Sequence, residues 1–95
     1  MKLFIIRIEL HSSNYVVDFT KLHTLMQAND FSKTIKSSDG KEYHLPRAEY
    51  LIYSVLDHGA VLKKVEAIVR ETGRVAEILV TESNISTWSN LTPVK

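Results

Sequence analysis

Three side chains of different chemistry alternate along the end of the first apolar segment: Arg7, Glu9 and His11. If this segment is a strand, residues two positions apart lie on one face of the sheet. A carboxylate there can take a proton from a 2′-hydroxyl, while a guanidinium and an imidazole hold the phosphodiester and stabilise the developing anion. The spacing predicts a catalytic group for metal-independent RNA cleavage. A cross-strand salt network beside a solvated histidine fits the same three residues.

A second group of polar residues surrounds a turn signal in the middle of the chain. Its cations attract phosphates and its aromatic rings can stack on unpaired bases, so the group predicts binding of single-stranded RNA. A solvated hairpin has the same composition, and that alternative stays open. The five RNA-binding candidates are Lys36, Lys41, Tyr43, His44 and Arg47.

Several classes of site are excluded by what the sequence lacks. The chain has no cysteine, which removes disulfides, thiolate metal sites and cysteine nucleophiles. Its four histidines fall in different predicted elements without metal-ligand spacing. Glycine-rich nucleotide-binding loops, the nucleophile elbow and the aromatic RNA-recognition signature are also absent. We therefore expect no metal and no cofactor.

The net charge of +1 restricts the kind of nucleic-acid contact that is expected. Proteins that grip many phosphates usually carry a strongly basic domain. A local contact with single-stranded RNA is compatible with this charge, and no DNA partner is expected.

The order of hydrophobic patterns predicts the fold class. It reads strand, helix, strand, strand, helix, strand, which indicates an α+β, ferredoxin-like β-α-β-β-α-β two-layer sandwich with two helices on one face of a four-stranded antiparallel sheet. Pro46 interrupts the arm after the Asp39-Gly40 turn, so the third strand either starts at Lys41 and is broken or begins only after Pro46. We expect the second, with Lys41–Arg47 loop-like. The other expected segments are Lys2–Leu10, a helix ending near Ala28, Phe31–Lys36, Ala48–Ser54, a helix capped by Asp57 and ended by Gly73, and Arg74–Glu82.

The same patterns predict which side chains are buried. On the first strand, Phe4, Ile6, Ile8 and Leu10 should face the helices. Ser12-Ser13-Asn14 has the chemistry of a helix start. The helix stripes should comprise Tyr15, Phe19, Leu22, Leu25 and Met26 in the first helix and Val61, Leu62, Val65, Ile68 and Val69 in the second.

Residues 1–83 are expected to form a single domain, followed by a polar tail at 84–95. Trp88 in this tail can dock on its own domain, form a short helix or insert into a partner subunit. Arg7 and Glu9 interrupt the first apolar run too early for a signal sequence. No stretch approaches a membrane span, so a cytoplasmic location without membrane contact is expected.

The chain resembles the GhoS family of small bacterial proteins over about residues 3 to 83. The resemblance implies a ferredoxin-like endoribonuclease, related to the small CRISPR-adaptation nucleases, that acts as a type V antitoxin by cleaving its toxin's transcript. It also implies a homodimer and an acidic residue near the end of the first strand, the place of Glu9. It rests on the element order, the glycine-containing hairpin and the segments Tyr15-Val16-Val17, Leu22-His23-Thr24-Leu25-Met26, Asp30-Phe31-Ser32 and Ala76-Glu77-Ile78-Leu79-Val80.

Two functional hypotheses remain open from the sequence. The first is a metal-independent endoribonuclease that acts on single-stranded RNA. The second is a non-catalytic dimeric binding or regulatory module that uses the open sheet and the Trp88 tail. An apolar strip on the sheet face away from the helices, formed by Leu3, Ile5, Val75 and Leu79, offers a surface that a second subunit can cover. A monomer with scattered surface apolar residues is the alternative.

Overall fold

The computed structural model describes residues 1–11 and 14–95 and shows an α+β protein. Ser12 and Ser13, two of the three residues expected to start the first helix, lie outside the described residues. The elements are β1 (Lys2–His11), α1 (Tyr15–Ala28), β2 (Thr34–Lys36), β3 (Glu42–His44), β4 (Glu49–Ser54), α2 (His58–Arg70) and β5 (Val75–Ser83).

Two antiparallel sheets replace the single four-stranded sheet expected from the sequence. The larger has the order β4-β1-β5, with Ile5 opposite Leu51 on one side and Thr81 on the other. The smaller sheet pairs β2 with β3. Among the described residues, the segment expected to be the fourth strand pairs with the larger sheet only through an isolated bridge between Ser32 and Leu51. Beyond Ser32 the chain pairs with β3 instead, which separates the hairpin from the main sheet.

The expectation that Lys41–Arg47 is loop-like was wrong for its first half. Gly40 adopts a φ of 87° and lets the chain turn back, so that Glu42–His44 pairs with Thr34–Lys36. Pro46 has no N–H to donate, and the strand ends before it. The proline therefore limits β3 in length without preventing it.

The main core lies between the larger sheet and the two helices. The predicted inward face of β1 is confirmed, since all four of its apolar side chains are buried. From α1, Leu22 and Met26 join this cluster as expected, with Leu25 packed at its edge. The α2 stripe is confirmed for its four buried members, Val61, Val65, Ile68 and Val69.

The ends of α2 follow the predicted chemistry. The Asp57 carboxylate accepts a hydrogen bond from the Ala60 backbone N–H at 2.8 Å, and this bond lowers the pKa of Asp57. At the other end, Gly73 has a φ of 74°, a conformation that a residue without a Cβ adopts readily. Both ends of the helix depend on residues close by in the chain, so the sequence was sufficient to predict them.

An ion pair that the sequence did not indicate joins a buried carboxylate of α1 to an exposed guanidinium just before β5. Asp18, only 8% exposed, lies with its Oδ2 2.8 Å from Arg74 Nε. We expect Asp18→Asn to lower the free energy of unfolding by about 1–3 kcal/mol, because it leaves the Arg74 guanidinium without its counterion. Urea denaturation measures this change. Glu66→Gln, on the exposed face of α2, is the control, and an equal loss in both variants would contradict a specific role for the pair.

Within residues 1–11 and 14–95, no helix is long and apolar enough to cross a membrane.

Candidate nucleic-acid interface

The β2–β3 hairpin and the C-terminal tail cover part of the sheet face that points away from the helices. A second apolar cluster forms there around Ile35, Leu45 and Leu51. Leu3, Ile5, Tyr43, Trp88 and Leu91 pack against it. The expected exposed strip is therefore wrong for Leu3 and Ile5, which contact this cluster. Val75 and Leu79 do remain exposed.

The tail docks on its own domain, one of the three placements considered for Trp88. The His44 backbone N–H donates to Thr92 O at 2.8 Å, and the Val94 N–H donates to Glu42 O at 3.0 Å. Pro93 forms a bridge with Tyr43. These contacts extend the smaller sheet along β3 and hold residues 85–91 over the larger one.

Trp88 stands between two cavities on this covered face. The first, which we name the aromatic groove, has a volume of about 490 Å³ and is lined by Tyr43, Tyr53, Trp88, Lys36, Ser37 and Ser38, among others. The second has a volume of about 470 Å³ and shares Trp88 as a wall. The Tyr43 and Trp88 ring centroids are 5.6 Å apart and the rings are tilted by 58°. Tyr53 is 62% exposed, so its ring is open to an incoming group.

The charges at the mouth of the groove come from the β2–β3 turn. Asp39 accepts hydrogen bonds from the Ser37 hydroxyl and the Lys41 backbone N–H, and the Ser37 bond is the main cause of its lowered pKa. This carboxylate is therefore occupied within the turn. Among the described residues, the Lys36 ammonium makes no ion pair and is exposed at the groove. The aromatic groove thus combines stacking surfaces, hydroxyls, one cation and the Asp39 carboxylate, whose oxygens are hydrogen-bonded within the turn.

The structure places the five RNA-binding candidates at different positions relative to the aromatic groove. Lys36 and Tyr43 line the aromatic groove. Lys41 and His44 are exposed on the same hairpin. Arg47 lies elsewhere, with its guanidinium carbon 4.9 Å from the centroid of the Tyr15 ring on α1. The sequence analysis did not identify Tyr53 as a groove residue. Strand alternation places its side chain on the sheet face opposite to that of the buried Ile52, and this was the available signal.

The three catalytic candidates do share one exposed face of β1, and each has an acidic neighbour across the sheet. Arg7 Nη1 lies 3.4 Å from Glu49 Oε2, and His11 Nε2 lies 3.5 Å from Glu77 Oε2. Glu9 is directly opposite Glu77 in the β1–β5 register. A shallow cavity of about 330 Å³ is lined by Arg7, Glu9, Glu77, Ile78 and Leu79. The two carboxylates at its floor weaken its attraction for a phosphate.

A further polar cluster, absent from the sequence predictions, surrounds Lys33 on the helix side of β4. Its ammonium donates to the carbonyl oxygens of Pro46, Arg47 and Glu49 at 2.8–2.9 Å. It also lies 4.6 Å from the ring centroid of the fully buried Tyr50. Burial lowers the pKa of Lys33 to about 8, while Glu49 opposes the shift. At neutral pH the ammonium form predominates and all three of its N–H groups have acceptors.

His23 and Tyr50 complete this cluster, with ring centroids 6.1 Å apart. Burial is the main cause that lowers the pKa of His23, and the Lys33 charge adds to it. Burial also raises the pKa of Tyr50. His23 Nδ1 and the Tyr50 hydroxyl are buried without a hydrogen-bond partner among the described residues.

In the part of the chain that the structure describes, no group of three or more His, Cys, Asp or Glu side chains is placed to hold a metal ion. Comparison of the chain with protein-family models and with curated proteins finds no match. The function is therefore inferred from the geometry of these sites.

Proposed function

We propose that this protein binds single-stranded RNA in the aromatic groove. The observation that carries the proposal is the placement of Trp88, Tyr43 and Tyr53 around one cavity with Lys36 at its rim. Aromatic side chains stack on unpaired bases of any sequence, and a nearby cation attracts the phosphate that follows. The Ser38 hydroxyl supplies a hydrogen-bonding group for a base edge or a 2′-hydroxyl.

The charge of the groove predicts a contact with few phosphates. Lys36 lies at the groove and Lys41 follows on the same turn, in a chain whose net charge is +1. For one or two phosphate contacts, the logarithm of the association constant should fall with the logarithm of salt concentration with a slope of about −0.7 to −1.4. Base stacking then contributes most of the affinity.

The ferredoxin-like topology and a cytoplasmic location are part of this proposal. The strand order β4-β1-β5, with Ser32 bridged to β4, supports a ferredoxin-like sheet whose edge strand is reduced to one bridge. Both helices contribute to the core cluster that contains the inward face of β1, which supports the two-layer arrangement.

Titration of the intrinsic fluorescence with short single-stranded RNAs tests the binding proposal. Trp88 is the only tryptophan in the chain, so a change in its emission reports on the groove itself. We expect saturable quenching by an octanucleotide and a weaker response to a duplex of the same sequence. No change in emission, together with no binding by a second method, would contradict the proposal.

A second candidate function is RNA cleavage at Arg7, Glu9 and His11, as in an antitoxin that degrades a toxin transcript. The support is their common exposed face, where Arg7 is oriented by Glu49 and His11 lies near Glu77. Glu9 would accept the 2′-hydroxyl proton, and Arg7 and His11 would contact the scissile phosphate.

We expect Glu9→Gln to reduce cleavage of labelled single-stranded RNA at least about 100-fold, because general-base catalysis contributes roughly 10²–10⁴ in rate. The assay uses highly purified protein with EDTA present, and cleavage at discrete positions should persist in the unsubstituted protein. Lys63→Gln, on the exposed face of α2, is the control for contaminating nuclease. Equal cleavage by all three proteins would remove this candidate function, while the binding proposal would stand.

A further inference from the structure

The second cavity beside Trp88 differs from the aromatic groove in its charge. We name this cavity, of about 470 Å³, the Glu49 pocket. Among the described residues that line it, Glu49 is the only charged one, whereas the aromatic groove also has a cation, Lys36. A carboxylate repels a phosphate, so the pocket does not suit the backbone of a nucleic acid. Its mostly apolar wall suits a flat ring that carries N–H donors on one edge.

The Glu49 pocket and the aromatic groove are neighbours on one surface. Both are lined by Ile35, Ser86, Thr87 and Trp88. A short segment of the tail with the Trp88 indole therefore separates them. A single strand that places one base in the aromatic groove can place the next base in the Glu49 pocket, because one aromatic side chain can stack on successive bases.

Three contacts hold Glu49 in position at the start of β4. Its backbone N–H donates to Pro46 O at 2.9 Å, and its carbonyl oxygen accepts from Lys33 Nζ at 2.8 Å. Across the sheet, Arg7 Nη1 lies 3.4 Å from Glu49 Oε2. Among the described residues, Glu49 Oε1 has no hydrogen-bond partner, and the side chain is 26% exposed. One carboxylate oxygen is thus open to a ligand, and the other keeps an unused lone pair.

Guanine is the base whose hydrogen-bonding edge matches a carboxylate. Its Watson–Crick edge presents N1–H and N2–H side by side, two donors for two carboxylate oxygens. Adenine and cytosine each present one amino group beside a ring nitrogen that accepts. Uracil presents one N–H between two carbonyl oxygens, which a carboxylate repels.

We propose that the Glu49 pocket binds a guanine base of single-stranded RNA, with the Glu49 carboxylate accepting hydrogen bonds from N1–H and N2–H. This inference rests on the proposed binding of RNA in the aromatic groove and adds a base preference to it. Trp88 then lies between the guanine and the neighbouring base. A site that hydrogen-bonds one base edge rejects a base without the matching groups, because the polar groups of the site would be left unpaired.

Anisotropy of labelled octanucleotides tests the base preference. The reference is octauridylate, and the test RNA carries one guanosine in its middle. We expect the guanosine to strengthen binding by about 5- to 100-fold, the range for a bidentate base contact. Inosine at the same position lacks the N2 amino group and should recover only part of this gain. The inosine comparison uses the unsubstituted protein, so it does not depend on the folding of a variant.

Substitution of Glu49 tests the assigned residue. In Glu49→Gln the ratio of the two affinities should fall to within about twofold of unity, because the amide turns a donor toward the guanine donors. Glu82→Gln is the matched control, since Glu82 also forms an exposed ion pair on the sheet, 3.7 Å from Lys2 Nζ, and lines neither cavity. It should keep the guanosine preference. Circular dichroism checks that both variants are folded.

The possible outcomes separate this inference from the RNA-binding proposal. Equal affinity for octauridylate and the guanosine RNA, or for the inosine and guanosine RNAs, would overturn the guanine assignment and leave binding in the aromatic groove intact. A guanosine preference that persists in Glu49→Gln would also overturn it, as would a stronger preference for adenosine or cytidine at the same position. Failure of every octanucleotide to bind would overturn both proposals.

Discussion

Replacing Lys33 with methionine should lower the free energy of unfolding by about 2–4 kcal/mol, one of the two largest effects expected in this protein. The ammonium donates to three backbone carbonyls of the segment that leads into β4. Hydrogen bonds to a charged group contribute roughly 1.5–3 kcal/mol each, and the desolvation that lowers the pKa of Lys33 offsets part of their sum, as do non-additivity and partial exposure. Methionine keeps most of the apolar stem but leaves the three acceptors without a donor.

Urea denaturation of Lys33→Met at pH 7 measures this loss, with Lys36→Met as the control. Lys36 lies three residues later on an exposed side of β2, so its replacement should change the free energy of unfolding by less than about 0.5 kcal/mol. Equal effects of the two substitutions would show that the carbonyl contacts of Lys33 are not stabilising.

The pH dependence of the free energy of unfolding, compared between the unsubstituted protein and Lys33→Met, gives a second test of the Lys33 contacts. Burial lowers the pKa of Lys33 to about 8 in the folded protein, from 10.5 without such burial. Between these values the unfolded chain binds more protons than the folded one, so the stability contributed at Lys33 rises with pH. The difference in stability between the unsubstituted protein and Lys33→Met should therefore widen from pH 8 to pH 10.5. A constant difference across this range would contradict the assigned shift.

Replacing Trp88 with alanine should weaken binding of single-stranded RNA by about 10- to 100-fold. Loss of one stacked base costs roughly 1–3 kcal/mol, and Trp88 presents the largest aromatic surface in the groove. Because this substitution removes the fluorophore, anisotropy of a labelled octanucleotide is the measurement. Trp88→Phe preserves a stacking face and should recover most of the affinity.

Trp88 also packs on the second apolar cluster, so its removal can disturb the hairpin as well as the groove. Tyr53→Ala separates the two effects, because Tyr53 is exposed and its loss should weaken RNA binding while stability changes little. His58→Ala is the control, since His58 is exposed at the start of α2 and is not among the groove-lining residues. Its affinity should stay within about twofold. Normal RNA binding by both Trp88→Ala and Tyr53→Ala would contradict the groove as the binding site.

Local sequence patterns were sufficient to predict the helices and strands that form the main core and several of their buried residues. The alternation along β1 identified its buried face, and the apolar spacing in α2 identified four of its buried residues. Asp57 and Gly73 marked the ends of α2. These features depend on side-chain period, capping and backbone conformation, all of which act within a few residues.

The candidate site depended on contacts between segments far apart in the chain. Arg7, Glu9 and His11 share a face because of strand alternation, but only the sheet register brought Glu49 and Glu77 beside them. The role of Lys33 arises from three carbonyls 13 to 16 residues later in the chain. No local pattern encodes such a contact.

Residue order and side-chain period therefore sufficed for the α+β class, the inward face of β1, the buried stripe of α2 and the ends of α2. Tertiary structure decided that the hairpin separates from the main sheet, that the tail returns along β3, and that Trp88 closes a groove with Tyr43 and Tyr53. The physical reason is that backbone N–H and C=O groups pair without regard to side-chain identity. Which strands pair is then set by long-range packing, and the sequence pattern does not specify that choice.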